Sequence, residues 1–422
     1  MTMLGWFALA VVAVTIYALI KRIETRLVLL CSGLFLCLVS GHPMAGLDAF
    51  AKSMTNATLV QVICGSMGFA FVASYTKADR ALVHYMSKPI HGLGIFLLPV
   101  CSIITFFIGI AIPSASGCGA AVGSTLIPVM LRSGIKPAAA AAAVLVGTTG
   151  GMLAPGASHN AFVSKMAEMD IMTFIGTHAP YTIMIGLFGA IGVMLMAFIF
   201  GDHKGDKNAQ VDQSKIKVDD DFKPNPILAL MPIVPIALLL TGNLWVPALK
   251  MGVAQAMVIG AIATMIVARC NPQTVTKEFF NGTGKAYANI IGIIIAAGVF
   301  AAGLKQAGLI DAFITTLRES NEIARWGGSF GPFIMGIVTG SGDAATLAFN
   351  ETVTKHAPDF GMTIEGLGGL AFLAGSAGRT ASPIAGVTIL LAGIAMVNPF
   401  EVAKRSFPPM FLAILACALL MV

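Results

Sequence analysis

Gly375-Ser376-Ala377-Gly378-Arg379-Thr380-Ala381-Ser382-Pro383 interrupts an apolar run that extends over 366–397. An arginine flanked on both sides by apolar residues has no water within reach unless the chain opens around it. In lipid every backbone N–H and C=O must be paired internally, so Gly, Ser and Pro in mid-span are costly unless the freed groups bind something. Three further stretches share this character: Pro113-Ser114-Ala115-Ser116-Gly117-Cys118-Gly119, Gly340-Ser341-Gly342-Asp343-Ala344-Ala345-Thr346, and the Gly/Pro-rich run 147–160 (GTTGGMLAPGASHN). Four broken apolar segments in one chain predict helices that are unwound inside a membrane.

The composition supports a membrane setting. Of 422 residues, 57% are hydrophobic and 11% charged, and the mean hydropathy is +0.86. A soluble domain is about 25% charged. Here 26 Lys+Arg and 20 Asp+Glu cannot coat the two or three soluble domains that this length would otherwise form. A soluble enzyme, a disordered chain and a disulfide-rich secreted scaffold are thereby excluded. The net charge of +6 calls for no nucleic-acid partner, because a positive-inside bias explains it. The seven cysteines lie in or beside apolar runs and form no CxxC, which suits small hydrophobes. Nothing points to a cofactor or a bound metal: there is no Walker A sequence and no HExxH. Ser114 and His159 lack a third member for nucleophilic catalysis.

About 20 apolar residues span a bilayer core. Plain runs fall at 3–20, 26–40, 58–76, 92–112, 180–200, 226–241, 251–268, 287–304 and 407–422, and 77–88 and 305–319 read as amphipathic connectors. The first run is followed, not preceded, by its basic cluster Lys21, Arg22 and Arg26, so it reads as a helix and not as a signal peptide. Residues 202–225 (DHKGDKNAQVDQSKIKVDDDFKPN) hold five Lys and six Asp and read as a solvated cytoplasmic linker. On its two sides features recur at an offset near 228: Ser114 with Ser341, Gly147 with Gly375, Gly150 with Gly378 and Pro155 with Pro383. The expected organisation is an N-terminal repeat over 1–201 (scaffold helices 3–40, hairpin 92–131, broken helix 137–160). A C-terminal repeat over 226–422 would match it (scaffold helices 226–268, hairpin 329–355, broken helix 366–397). With re-entrant hairpins and residues 21–26 in the cytoplasm, eighteen Lys/Arg lie inside, seven outside and Arg379 within the membrane. Both termini then lie outside, and the two halves are inverted. The fold class is an all-α polytopic membrane protein of two inverted-topology repeats, the architecture of secondary transporters.

Half-helix ends offer N–H groups to anions and carbonyls to cations. Arg379 is the anion-binding candidate, because its planar fork suits a carboxylate; a structural ion pair with Asp343 is the plainer alternative. Hydrogen-bonding groups around it are Ser114, Ser116, Gly117, Thr148, Thr149, Gly150, Ser341, Gly342, Thr380 and Ser382. Candidates for a coupling proton or ion are Asp343, His159, Asn160 and Asn350. Asp343 has a plain reading too, as a cap of the following half-helix, and His159 as an interfacial residue.

Through PSASGCGAAVGS, GTTGGMLAPGASHN, GSGDAATLAFN and GSAGRTASPIAG the chain resembles the ion transporter superfamily. Within it the chain is most similar to the anaerobic four-carbon dicarboxylate carrier (DcuC) family, over essentially its whole length. The resemblance implies a carrier of the Gram-negative inner membrane that takes up fumarate or malate, exports succinate, or exchanges them. It also implies a homodimer in which a transport domain moves past a scaffold in an elevator-like shift. In related carriers the hairpin tips carry Ser-Asn-Thr motifs that bind sodium and substrate. Ser-Ala-Ser-Gly and Ser-Gly-Asp stand there in this chain, which turns the expected coupling from Na+ towards H+ at Asp343 or His159. Two other readings fit the residues: a carrier of amino acids or another organic anion, and a cation/proton antiporter in which Arg379 partners Asp343.

Overall fold

The structure is a computed structural model that describes residues 3–21, 23–87, 93–204, 224–310, 312 and 321–421. Its described elements are all helices. The first half runs α1 (Met3–Ile20), α2 (Thr25–Val39), α3 (Pro43–Met54), α4 (Ala57–Tyr75), α5 (Ala78–Ser87), α6 (Leu97–Ala111), α7 (Ala115–Arg132), α8 (Pro137–Gly147), a 3-10 turn (Thr148–Leu153), α9 (Ser158–Met166) and α10 (Ile171–Ile199). The second runs α11 (Pro226–Leu230), α12 (Val234–Leu244), α13 (Val253–Ala268), α14 (Pro272–Ala286), a π-turn (Tyr287–Ile291), α15 (Gly292–Gln306), α16 (Asn321–Thr339), α17 (Gly342–Thr352), α18 (Ile364–Thr380), α19 (Gly386–Ile394) and α20 (Pro399–Leu420). Seven described segments are long and apolar enough to cross a membrane: Ala57–Tyr75, Gly94–Ala111, Pro137–Met166, Ile171–Ile199, Pro226–Leu244, Pro272–Gln306 and Pro399–Leu420. The chain is a multi-pass membrane protein.

Two helices begin earlier than their apolar runs suggest. α10 starts at Ile171 and not at 180, because Asp170 accepts from the Met172 N–H at 2.9 Å and caps it. Pro180 then sits inside the helix. α20 starts at Pro399 and not at 407, capped by Asn398 on the Phe400 N–H at 2.9 Å, with Pro408 and Pro409 inside it. Membrane helices tolerate such prolines when neighbouring groups satisfy the freed carbonyls.

One core gathers α6, α7, α8, α10, α18, α19 and α20. At its centre lies α8, whose residues 138–147 are all buried. Its run of alanines leaves no polar face and lets neighbours approach from every side. A second core gathers α4 and α12–α15 and reaches α9 through Ala161, Phe162 and Val163. The site lies where these two cores meet.

Most of the expected linker (205–223) lies outside the described residues, as do 88–92 and most of 311–320 in the two connectors. Asp202, counted with that linker on sequence grounds, is instead fully buried. The Arg405 guanidinium donates to both its carboxylate oxygens, Nε at 2.8 Å and Nη2 at 3.1 Å. The Asp202 carbonyl also accepts from the Lys136 N–H at 2.8 Å. The start of α8, the end of α10 and the start of α20 are thus tied at one point. Removing one partner of a buried ion pair costs about 3–5 kcal/mol. Arg405→Ala is therefore expected to lower the melting temperature of the detergent-solubilised protein strongly; an unchanged melting curve would show that the pair does not hold this end together.

Candidate functional site

Two tight turns and two helix breaks converge. α6 and α7 are joined at Ile112–Ser114, and α16 and α17 at Gly340–Ser341. In each turn the serine caps the second helix: Ser114 accepts from the Gly117 N–H at 3.2 Å and Ser341 from the Ala344 N–H at 3.5 Å. Gly340 takes the left-handed backbone (φ +70°), and a Cβ there would come within 2.9 Å of the Ile384 carbonyl oxygen, so the turn requires glycine. α8 ends at Gly147 in the 3-10 turn, and the chain is non-helical from Ala154 to Ala157. Gly147 lies against α6, where a Cβ would meet the Ser102 carbonyl at 2.5 Å, and a methyl at Gly150 would sit on the Phe106 carbonyl. The glycines of this run are what let an unwound strand of backbone lie against α6. The second break is shifted from its expected place: Gly375–Thr380 stays helical, and the interruption falls at Ala381–Ala385 around Pro383. Arg379 accordingly stands in the last turn of α18, where the helix dipole favours a cation.

These elements enclose a cavity of about 290 Å³. It lies near the lower end of the ~300–1,000 Å³ typical of small-molecule sites, a size that suits a metabolite. Of the sequence candidates, Ser114, Ser116, Thr148, Ser341, Gly342, Asp343, His159 and Arg379 line it. The only ionisable groups among its lining residues are His159, Asp343 and Arg379. His159 Nε2 lies 2.9 Å from Asp343 Oδ1, which joins α9 to α17 across the two halves of the chain. The His159 ring is buried and lies tilted against Phe372, with ring centroids 4.6 Å apart, while the Asp343 side chain is 58% accessible, open to the cavity. Asp343 does not cap α17, since Ser341 does. It forms no ion pair with Arg379 either; that partnership, one of the sequence-based alternatives, is taken by His159. Arg379 Nε has no hydrogen-bond partner, and no carboxylate lies within ion-pair distance of its guanidinium among the described residues.

Seven other candidates do not line the cavity. Gly117 and Gly150 belong to its supporting backbone. Thr149 donates to Val146 O at 2.7 Å, Thr380 to Ser376 O at 2.9 Å and Ser382 to Ile337 O at 2.6 Å, so these hydroxyls are spent on helix carbonyls. Asn350 is fully buried and accepts from Thr354 at 2.7 Å. Asn160 faces away, donating to Met152 O and Ala154 O, both at 2.9 Å. Conversely, Ser66, Ser158, Ser376, Ile290 and Phe372 line the cavity without having been singled out. Ser158 and Ser376 lie inside the two broken motifs and were there to be found. Ser66 sits mid-way along a plain apolar helix and carries no local signal.

Comparison with known proteins gives the family and the fold. The profile of the family described as "C4-dicarboxylate anaerobic carrier" (DcuC) matches residues 48–422. An uncharacterized transporter of Haemophilus influenzae is 50% identical over 280 residues, covering 64% of this chain and all of that protein. The anaerobic C4-dicarboxylate transporter DcuC of Escherichia coli K12 is 28% identical over 369 residues, covering 84% of this chain and 78% of its own. Among solved structures, the YdaH transporter of Alcanivorax borkumensis superimposes with a TM-score of 0.62 at 13% identity, covering 89% of this chain and 86% of that one, a likeness of fold alone. With a family match that runs over most of its length, the protein belongs to the C4-dicarboxylate anaerobic carrier (DcuC) family, whose members are transporters and not enzymes.

Proposed function

We propose that the protein is a secondary active carrier of C4-dicarboxylates, exporting succinate, taking up fumarate or malate, or exchanging them. The observation that carries this reading is Arg379: a guanidinium on the wall of a small cavity, with no hydrogen-bond partner on its Nε and no carboxylate within ion-pair distance among the described residues. A charge in that position is costly unless a ligand pairs with it. One substrate carboxylate forks onto Arg379, and hydroxyls of Ser116, Ser158 and Ser376 bind the remainder; the Thr148 hydroxyl, on the same wall, donates to Leu145 O at 2.7 Å. With His159 neutral, Asp343 balances Arg379 and the lining carries no net charge. A dianion entering such a site brings two uncompensated negative charges, so protons taken up by the His159–Asp343 pair are the natural counter-ions. This favours H+ over Na+ as the coupling ion.

The repeat reading extends to the mechanism. The α6–α7 and α16–α17 turns are the tips of two re-entrant hairpins in inverted halves. The core that includes α8 and α18 moves as one body past a dimeric scaffold built from α1, α2, α12 and α13, carrying the substrate between the two sides of the inner membrane. Both termini lie in the periplasm. An amino-acid substrate has one observation in its favour, the accessible Asp343 carboxylate, to which an ammonium would bind.

Counterflow in proteoliposomes tests this: unlabelled succinate inside, labelled succinate outside. Accumulation suppressed by succinate, fumarate and malate, and not by monocarboxylic α-amino acids, is the expected result. No accumulation by folded protein would refute the dicarboxylate reading, and suppression by the amino acids alone would replace it.

A further inference from the structure

His178, on α10, does not itself line the cavity, and nothing in the sequence around it attracts notice. Its place in the fold does. Asn160 Nδ2 donates to Met152 O and Ala154 O, both at 2.9 Å. Two carbonyls cannot donate, so these contacts fix the orientation of the amide and leave Asn160 Oδ1 as a pure acceptor. His178 Nε2 lies 3.1 Å from that oxygen and must therefore carry a proton. On the other side of the ring, Nδ1 meets Thr182 Oγ1 at 3.0 Å, and Thr182 is itself 3.1 Å from the His178 carbonyl. Asn160, His178 and Thr182 are all fully buried. Phe372 lies edge-on to His178 at 5.8 Å and tilted against His159 at 4.6 Å.

We propose that His178 is a positioning residue for transport: its Nε2–H orients Asn160, which holds the unwound backbone at 152–154 in the shape that places Thr148, Ser158 and His159 on the cavity wall. The freed carbonyls of Met152 and Ala154 have no helical partner at this depth; Asn160 donates to both, and the Ala157 N–H reaches Ala154 O as well, at 3.0 Å. Without His178 the amide loses the contact that holds its oxygen, and the segment that precedes His159 loses its template. His178 does not carry the coupling proton; it acts through Asn160. This inference rests on the carrier reading above for its transport readout only.

The test compares His178→Gln, which places an amide N–H about where Nε2 stands, with His178→Leu, similar in size but without a donor. Amide hydrogen exchange over 148–160, measured without substrate, should rise sharply in His178→Leu and stay near wild type in His178→Gln. Succinate counterflow in His178→Leu should fall about 10- to 100-fold, the range for a misplaced binding group. His178→Gln should keep most of the rate and the wild-type pH dependence. Equal loss in both variants, or a flattened pH profile in His178→Gln, would overturn the proposal, the latter by making His178 the titrating group. If wild-type protein carries no dicarboxylate the carrier reading fails, while the exchange measurement still judges the His178–Asn160 contact. Equal exchange in both variants there would refute it.

Discussion

Arg379→Ala is expected to abolish succinate counterflow while leaving the protein folded. Truncating one side of a desolvated, hydrogen-bonded charge pair costs about 2–5 kcal/mol, or roughly 30- to 4,000-fold in affinity. Because no protein group hydrogen-bonds Arg379 Nε, little of that cost falls on folding. Arg379 makes no ion pair among the described residues and its Nε no hydrogen bond, so the empty protein should melt near the wild-type temperature. Protection against melting by succinate should vanish. Arg379→Lys keeps the charge but loses the planar fork, and about a tenfold loss is expected, one hydrogen bond's worth at 1.4 kcal/mol. Full activity in Arg379→Lys would contradict bidentate carboxylate binding and revive the antiporter reading. A large drop in the melting temperature of Arg379→Ala without substrate would show instead that the arginine serves the fold.

The second large effect concerns coupling. Asp343→Asn and His159→Gln each remove one titrating member of the pair that bridges α9 and α17. Both replacements preserve a hydrogen bond between these helices, so folding should survive. Expected is a split between two assays. Exchange of succinate for succinate needs no net proton movement and should persist. Accumulation driven by an imposed pH gradient should be lost, since a tenfold gradient supplies about 1.4 kcal/mol per coupled proton and a carrier without its proton site cannot use it. Vesicles loaded with a pH indicator read the proton flux directly. Equal residual accumulation in the variants and the wild type would remove the pair from the coupling step and return attention to sodium.

Arg379 and Asp343 were legible because a charge inside an apolar run is rare and costly. The Gly/Pro clusters at 147–160 and 375–383 marked breaks for a related reason: they withdraw backbone hydrogen bonds where no solvent replaces them, although the second break falls at 381–385 and leaves 375–380 helical. The starts of the apolar runs at 180 and 407 misled in the opposite direction: caps ten residues upstream at Asp170 and nine upstream at Asn398 begin the helices instead. A cap is read from a hydrogen bond, and only the backbone path shows whether that bond forms.

Composition and local pattern were sufficient for the all-helical, multi-pass class, for the four interruptions and for the family resemblance, because each of these follows from what lipid forbids along a stretch of a few residues. Partner choice was not local. That His159 and not Arg379 takes Asp343, that Asn160 turns away from the cavity to brace Met152 and Ala154, that Ser66 joins its wall from a featureless helix, and that Asp202 leaves the linker to be buried with Arg405 all depend on residues between 6 and 203 positions apart in the chain. A side chain's rotamer and neighbours are set by which helices pack together, and packing of small, apolar, nearly interchangeable surfaces leaves no trace in the residues on either side of any one of them.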